Sequence, residues 1–217
     1  MLYTTFLANK LVDWLRRGQA YTPATANMSV GLLTSTKGPR GNSTVYALND
    51  TISLTANDGK THFYKCTTAG TSAAAQSTLY PGAQNEVITD GTAAFTEQTT
   101  ALRAGIGGVV VEAAWTNYAR ANLAASLANW AGTQGAGTTT ASSGTSAPST
   151  SNNSTLTYGT APGSGPTFVW AEALFDATSA GNMLEIMPLA AGQTKTVNNG
   201  DPAPTTAAGG LVSTYDN

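Results

Sequence analysis

Apolar residues near the start of the chain recur at helical spacing. Phe6, Leu7, Leu11, Trp14 and Leu15 form one stripe of an amphipathic helix. Thr4 or Thr5 can cap its start, Arg16 and Arg17 suit the negative end of its dipole, and Gly18 supplies a stop. The stripe fits packing on its own domain and docking onto another subunit equally well. Met28, Val30 and Leu32 then alternate, which predicts a half-buried strand.

Gly38-Pro39-Arg40-Gly41-Asn42 breaks the chain, and the pattern changes until about residue 100. Short β-type runs fall at 44–48, 51–55, 62–66, 86–89 and 93–97, with Asn57-Asp58-Gly59-Lys60 as a hairpin tip. Another β-type run covers 105–112. The alanine-rich stretch carrying Trp115, Tyr118, Leu123, Leu127 and Trp130 reads either as a helix or as strand, bend and strand. Residues 131–155 hold no charge, no aromatic and no aliphatic side chain larger than alanine, which predicts a long exposed loop without an essential site. Strands resume at 154–159, 167–175, 183–187 and 195–197. Phe168, Trp170, Ala173 and Leu174 are expected to share one core, with Glu172 and Asp176 toward solvent or a turn.

Composition sharpens this picture. Thr, Ala, Gly and Ser make up just over half of the chain, and only 10% of its residues are charged. Such a chain favours β structure with many turns and a surface wetted by hydroxyls and amides. Ten Lys and Arg against twelve Asp and Glu leave a net charge of -2, so no basic face is available for nucleic acid. The apolar stretch from Phe6 to Leu15 is interrupted by Asn9, Lys10 and Asp13, too short and polar for a membrane span or a signal peptide. This predicts a protein made and folded in a cytoplasm.

The chemistry-bearing residues are sparse. Cys66 is the lone cysteine and His62 the lone histidine, which excludes an intrachain disulfide and multi-histidine metal sites. Lys65 is expected on the opposite strand face, so Cys66 reads as a small buried hydrophobe rather than a nucleophile. His62 lies within a predicted strand and reads as a structural polar residue, with no Gly-x-Ser-x-Gly elbow to serve. Asp13, Asp50, Asp58, Glu86, Asp90, Glu97, Glu112, Glu172, Asp176 and Glu185 could in principle supply a glycosidase pair, but none sits in a recognisable setting. Gly105-Ile106-Gly107-Gly108 precedes valines rather than a helix, unlike a phosphate-binding loop. No catalytic, cofactor-binding or metal residue is assigned, and no enzyme activity is expected.

Several signatures occur in a telling order: Leu15-Arg16-Arg17-Gly18 with Ala20-Tyr21-Thr22-Pro23, then Met28-Ser29-Val30-Gly31-Leu32-Leu33-Thr34, then Tyr118-Ala119-Arg120. Leu174-Phe175-Asp176-Ala177, Gly181-Asn182-Met183-Leu184 and Val197-Asn198-Asn199-Gly200-Asp201 follow. Over the flanks, 7–33 and 112–210, this order resembles a family of bacteriophage tail-fibre or minor tail structural proteins. The intervening Phe63-Tyr64-Lys65-Cys66-Thr67-Thr68-Ala69-Gly70-Thr71-Ser72, with Asp90-Gly91-Thr92 and Phe95-Thr96-Glu97, resembles a small β module of phage tail and decoration proteins, similar to certain carbohydrate-binding modules. Phe95 stands where that module usually has Trp, which weakens a sugar-stacking surface.

The combined expectation is a mainly β protein: a jelly-roll-like β-sandwich from residues 1–38 and 101–217, an N-terminal helix, and an inserted small β domain at 39–100. The resemblance implies a virion protein of tail, collar or head surface, partnered by other virion proteins and by copies of itself as a homotrimer. It also leaves open contact with a host-surface glycan through the insert. Neither nucleic acid nor membrane is expected as a partner.

Overall fold

The computed structural model of the chain describes residues 2–22, 26–76, 80–83, 85–98, 111–132, 142, 149–160, 163, 166–189 and 193–214. It is mainly β, with one helix near the N-terminus. Strand β1 (Leu2–Tyr3) leads into α1 (Thr5–Arg17) through Thr4, whose hydroxyl oxygen accepts from the Leu7 amide as the N-cap. The same hydroxyl donates to the carbonyls of Met183 and Leu184, fastening the helix start to the sheet. Gly18 ends the helix in left-handed backbone, φ 65°, a conformation that disfavours any other side chain.

Strand β2 (Ser29–Ser35) follows. Next come β3 (Val45–Tyr46), β4 (Thr51–Thr55), β5 (Thr61–Thr68), β6 (Gly70–Thr71), β7 (Val87–Asp90) and β8 (Ala93–Glu97). The C-terminal flank supplies β9 (Val111–Glu112), β10 (Ala121–Asn122), β11 (Ser149–Ser151), β12 (Leu156–Thr157), β13 (Thr167–Phe175), β14 (Met183–Pro188), β15 (Lys195–Val197), β16 (Thr205–Thr206) and β17 (Val212–Thr214).

The principal sheet runs β1-β14-β13-β2-β10, with β15 also on β13 and β9 also on β2. Its axis is the antiparallel pairing of β13 with β2, from Phe168 opposite Ser35 to Phe175 opposite Ser29. A bulge between Val169 and Ala171 breaks the alternation, so Trp170 and its neighbour Ala171 both enter the same core. Val169 and Leu174 face the other way, into a core with Val30, Leu32, Trp115, Leu123 and Tyr158. That core is closed by two short ribbons, β11 with β17 and β12 with β16. The expected grouping of Phe168, Trp170, Ala173 and Leu174 is thereby corrected.

Strands β4-β5-β8-β7 form a four-stranded antiparallel sheet, beside the β3–β6 ribbon. Asn57-Asp58-Gly59-Lys60 is the tip between β4 and β5, with Gly59 at φ 76°. The core beside this sheet holds Tyr46, Ile52, Tyr64, Cys66, Tyr80 and Phe95. Phe63 points the other way and stacks on Trp170, ring centroids 4.9 Å apart, among Leu33 and Ile186. Continuation of β2 also runs along β4: the Lys37 amide donates to the Thr51 carbonyl and the Ser53 amide to the Gly38 carbonyl.

Other differences from the sequence pattern follow from this layering. Strand β2 is buried along its whole length rather than on one face, because the flank core covers one side and Phe63 the other. The 115–130 stretch is no helix; it makes turns around the two-residue strand β10 while burying Trp115 and Leu123. The exposed loop expected at 131–155 is built into the fold at its end. There β11 pairs with β17, and the fully buried Asn152 donates to the Ser154 and Ala207 carbonyls and accepts from the Leu211 amide. Residues 133–141 and 143–148 lie outside the described residues, as do 101–110 with the Gly105–Gly108 motif.

If Phe63 seats the insert on the principal sheet, Phe63→Ala removes an aromatic from a closed core and is expected to cost about 3–5 kcal/mol in urea unfolding. A loss under about 1 kcal/mol would show that the contact contributes little.

Candidate functional site

Several family-like signatures converge on one clamp. Arg120 Nε donates to Glu112 Oε1 at 2.8 Å and Nη2 to Oε2 at 2.7 Å, a two-point pairing that suits the planar guanidinium. Its Nη1 donates to the carbonyls of Ala177 and Ala180, at 2.8 and 2.7 Å, which pins the turn between β13 and β14. The guanidinium carbon lies 3.5 Å from the centre of the Phe175 ring. Tyr118 donates its hydroxyl proton to Glu112 Oε1 and accepts from the Leu32 amide, each at 2.9 Å. Gly31 leaves room for this: a Cβ there would lie 2.9 Å from Glu112 Oε1 and from the Tyr118 oxygen. Asp176 shapes the same turn, accepting from the Asn182 amide at 2.6 Å.

Two clusters organise strands β3–β8. Arg40, from the turn after β2, pairs with Asp90 at 2.7 Å, and both side chains are almost fully buried. Arg40 also reaches the Ala73 carbonyl and the Asn42 side chain, while Tyr80 donates to Asp90 Oδ2 at 2.7 Å. Burial alone would raise the Asp90 carboxyl, but hydrogen bonds from Arg40 and Tyr80 outweigh it and hold the group below its ordinary range. In the second cluster, His62 Nδ1 lies 3.0 Å from Glu97 Oε1 and Nε2 lies 3.1 Å from Asp58 Oδ2. Burial alone would lower the imidazole pKa, yet the two carboxylates raise it. With acceptors on both sides the ring is an imidazolium tie, not a base poised beside a nucleophile.

Most of the remaining carboxylates also have structural partners. Glu172, expected toward solvent, is buried and accepts from Tyr158 at 2.7 Å and from Thr206. The reason is the second layer: Tyr158 and Thr206 beside β12 and in β16 close over this face of β13. Glu185 accepts from Ser213 Oγ at 2.8 Å. Asp13 pairs with Arg17 on the helix surface, Asp50 lies 3.6 Å from Lys37, and Glu86 is exposed. Cys66 is buried and its thiol is pushed up by burial, as a small core residue would be. Among the described residues no group of His, Cys, Asp and Glu is arranged to hold a metal ion.

The rings of Tyr46, Tyr64, Tyr80 and Phe95 do not offer a stacking surface, because they are at most 1% exposed. Large exposed apolar side chains among the described residues are Val45, Leu48, Val87, Leu127 and Val212, together with a group on the helix. On α1, Phe6 and Leu7 rest against the flank core, whereas Val12, Trp14 and Leu15 are 53, 56 and 65% exposed. No helix among the described residues is long and apolar enough to cross a membrane.

The sequence marks Arg120 and Phe175 only as signature letters, Tyr118 also as part of an ambiguous apolar stretch and Asp176 also as a carboxylate at a turn; the structure gives all four a common task. It also adds partners that no local pattern marks, among them Arg40, Tyr80, Tyr158 and Ser213. A glycine in the middle of an apolar strand was the available signal for the clamp.

A family model described as "Podophage GP4 fiber I protein gp80" matches residues 92–214, from β8 through β17. No curated protein matches the chain.

Arg120→Met leaves Glu112 without its cation and frees the β13–β14 turn, so a loss of about 3–5 kcal/mol in urea unfolding is expected. A change below about 1 kcal/mol would remove the clamp from the account. His62 provides a pH signature. Its folded pKa is raised, so its stabilisation is complete below the unfolded value of about 6.5 and is lost as pH rises through the folded value. The stability advantage of the native chain over His62→Gln should therefore be larger near about pH 6 than near about pH 9, and the opposite trend would refute the imidazolium tie.

Proposed function

The chain belongs to the family of podophage GP4 fiber I proteins, and from that premise we propose that it is a non-catalytic part of a phage tail fibre that assembles as a homotrimer and with other virion proteins. Membership makes it a virion protein, and the match over residues 92–214 is the observation that carries the reading. The interior supports it. The buried carboxylates at 90, 97, 172 and 185, and the half-buried one at 112, are engaged in holding strands, turns and ribbons together. That arrangement suits a part that folds once and stays assembled.

Within the same proposal, residues 39–100 are an inserted β unit seated on the principal sheet through Phe63 and Trp170. The assembly contact is the outer half of α1. A helix that leaves a Trp, a Leu and a Val uncovered on a charge-poor protein presents an apolar strip suited to a matching surface. Arg16 and Arg17 beside it give the strip a polar edge.

Light scattering at micromolar concentration should give three times the 22.1 kDa chain mass. The double substitution Trp14→Ser with Leu15→Ser should lower the mass to that of one chain without changing the far-ultraviolet circular dichroism, since neither side chain belongs to a core. A native chain that stays monomeric, or a double variant that stays trimeric, overturns this proposal.

A further inference from the structure

The buried and clamped carboxylates differ in what neutralises them. Asp90 has Arg40, Glu97 has His62, and Glu112 has Arg120. Glu172 is held by two hydroxyl groups. Glu185 is 3% exposed, its hydrogen-bond donor is the single hydroxyl of Ser213, and among the described residues no cation lies within ion-pair distance of it. Burial pushes its carboxyl up to about 7, further than the Ser213 hydrogen bond lowers it.

Glu185 also lines a cavity of about 450 Å³ whose other walls include Met28, Leu127, Trp130, Leu174 and Ser213. Several other polar wall atoms are engaged inside the fold. Thr150 donates to the Ala131 carbonyl, Ser126 Oγ accepts from the Asn129 amide, and the Trp130 ring nitrogen donates to the Leu123 carbonyl. Among the described residues the lining is mainly apolar, with an aromatic wall and Glu185 as its one carboxylate. We propose that this cavity is a binding site for an organic cation, an ammonium or guanidinium group on a short apolar stem, with the charged head on Glu185 and the stem against Met28, Leu127 and Trp130. An alkyl cation needs one carboxylate and an apolar sleeve, with the ring of Trp130 adding attraction for positive charge. The cation can arrive as a small molecule or as a Lys or Arg side chain of another copy.

The test titrates the full-length chain with n-butylguanidinium and, in parallel, with its neutral isostere n-butylurea, following methyl signals of Met28 and Leu127 by NMR. Saturable shifts with n-butylguanidinium, at least about tenfold weaker with n-butylurea, are expected for a charge-selective site. Glu185→Gln should reduce guanidinium binding to the level of the urea. Absence of saturation, or equal binding of the two ligands, overturns the proposal whether or not the variant folds. Light scattering during the titration distinguishes the sources. A fall in mass as n-butylguanidinium binds shows that it displaces a side chain of another copy, and an unchanged mass shows a site for a free cation. Either result leaves the fibre assignment untouched.

Discussion

Arg120 joins segments that the chain keeps far apart. Its guanidinium ties β9 through Glu112, the β13–β14 turn through Ala177 and Ala180, and the end of β13 through Phe175. Leu32 of β2 is drawn in through Tyr118. The order of the principal sheet depends on this: β2 can lie against β13 along its full length only if the turn beyond Phe175 stays folded. Five donors in a planar fork can bind a carboxylate and two carbonyls at once; a lysine ammonium has neither the number nor the geometry.

The same economy recurs through the molecule. A chain with so few charges places several of them inside, as cross-links between layers, while others such as Arg16, Arg17, Lys60, Glu86 and Lys195 stay at the surface. Arg40 with Asp90 joins the turn after β2 to the end of β7, His62 ties the hairpin tip to the end of β8, and Glu172 fastens the β12–β16 ribbon over β13. Each buried carboxylate would be costly alone, and each ties together residues from separate parts of the chain. The arrangement resists unfolding locally while offering little charged surface, which fits a protein whose neighbours cover part of it.

Much of this was legible in the residues themselves. Helix α1 with its Thr4 cap and Gly18 stop, the Asp58-Gly59 hairpin tip, and strands β4, β8, β13 and β15 follow from local rules of period, capping and turn chemistry. The order of the flank signatures pointed to a phage structural family, and the fibre match agrees with it. Local rules could not show what lies above a strand. Glu172 looks like a solvent-facing residue until Tyr158 and Thr206 arrive from a ribbon distant in sequence. The bulge at Trp170 shifts the alternation without any proline or glycine to announce it. Trp115 and Leu123 fitted two periods because irregular turns satisfied both. Sequence spacing likewise gave no sign that Glu185 opens into a cavity, since its surroundings come from segments near residues 28, 130 and 213.

The central claim is that this chain is a fibre part built to be assembled. Cryo-electron microscopy of the intact phage particle tests it most directly. The account predicts density for the fold within a tail fibre, in three copies about one axis, with Val12, Trp14 and Leu15 of α1 covered by a neighbouring chain. Density for the fold on the capsid surface, or copies whose α1 faces solvent throughout, would contradict it.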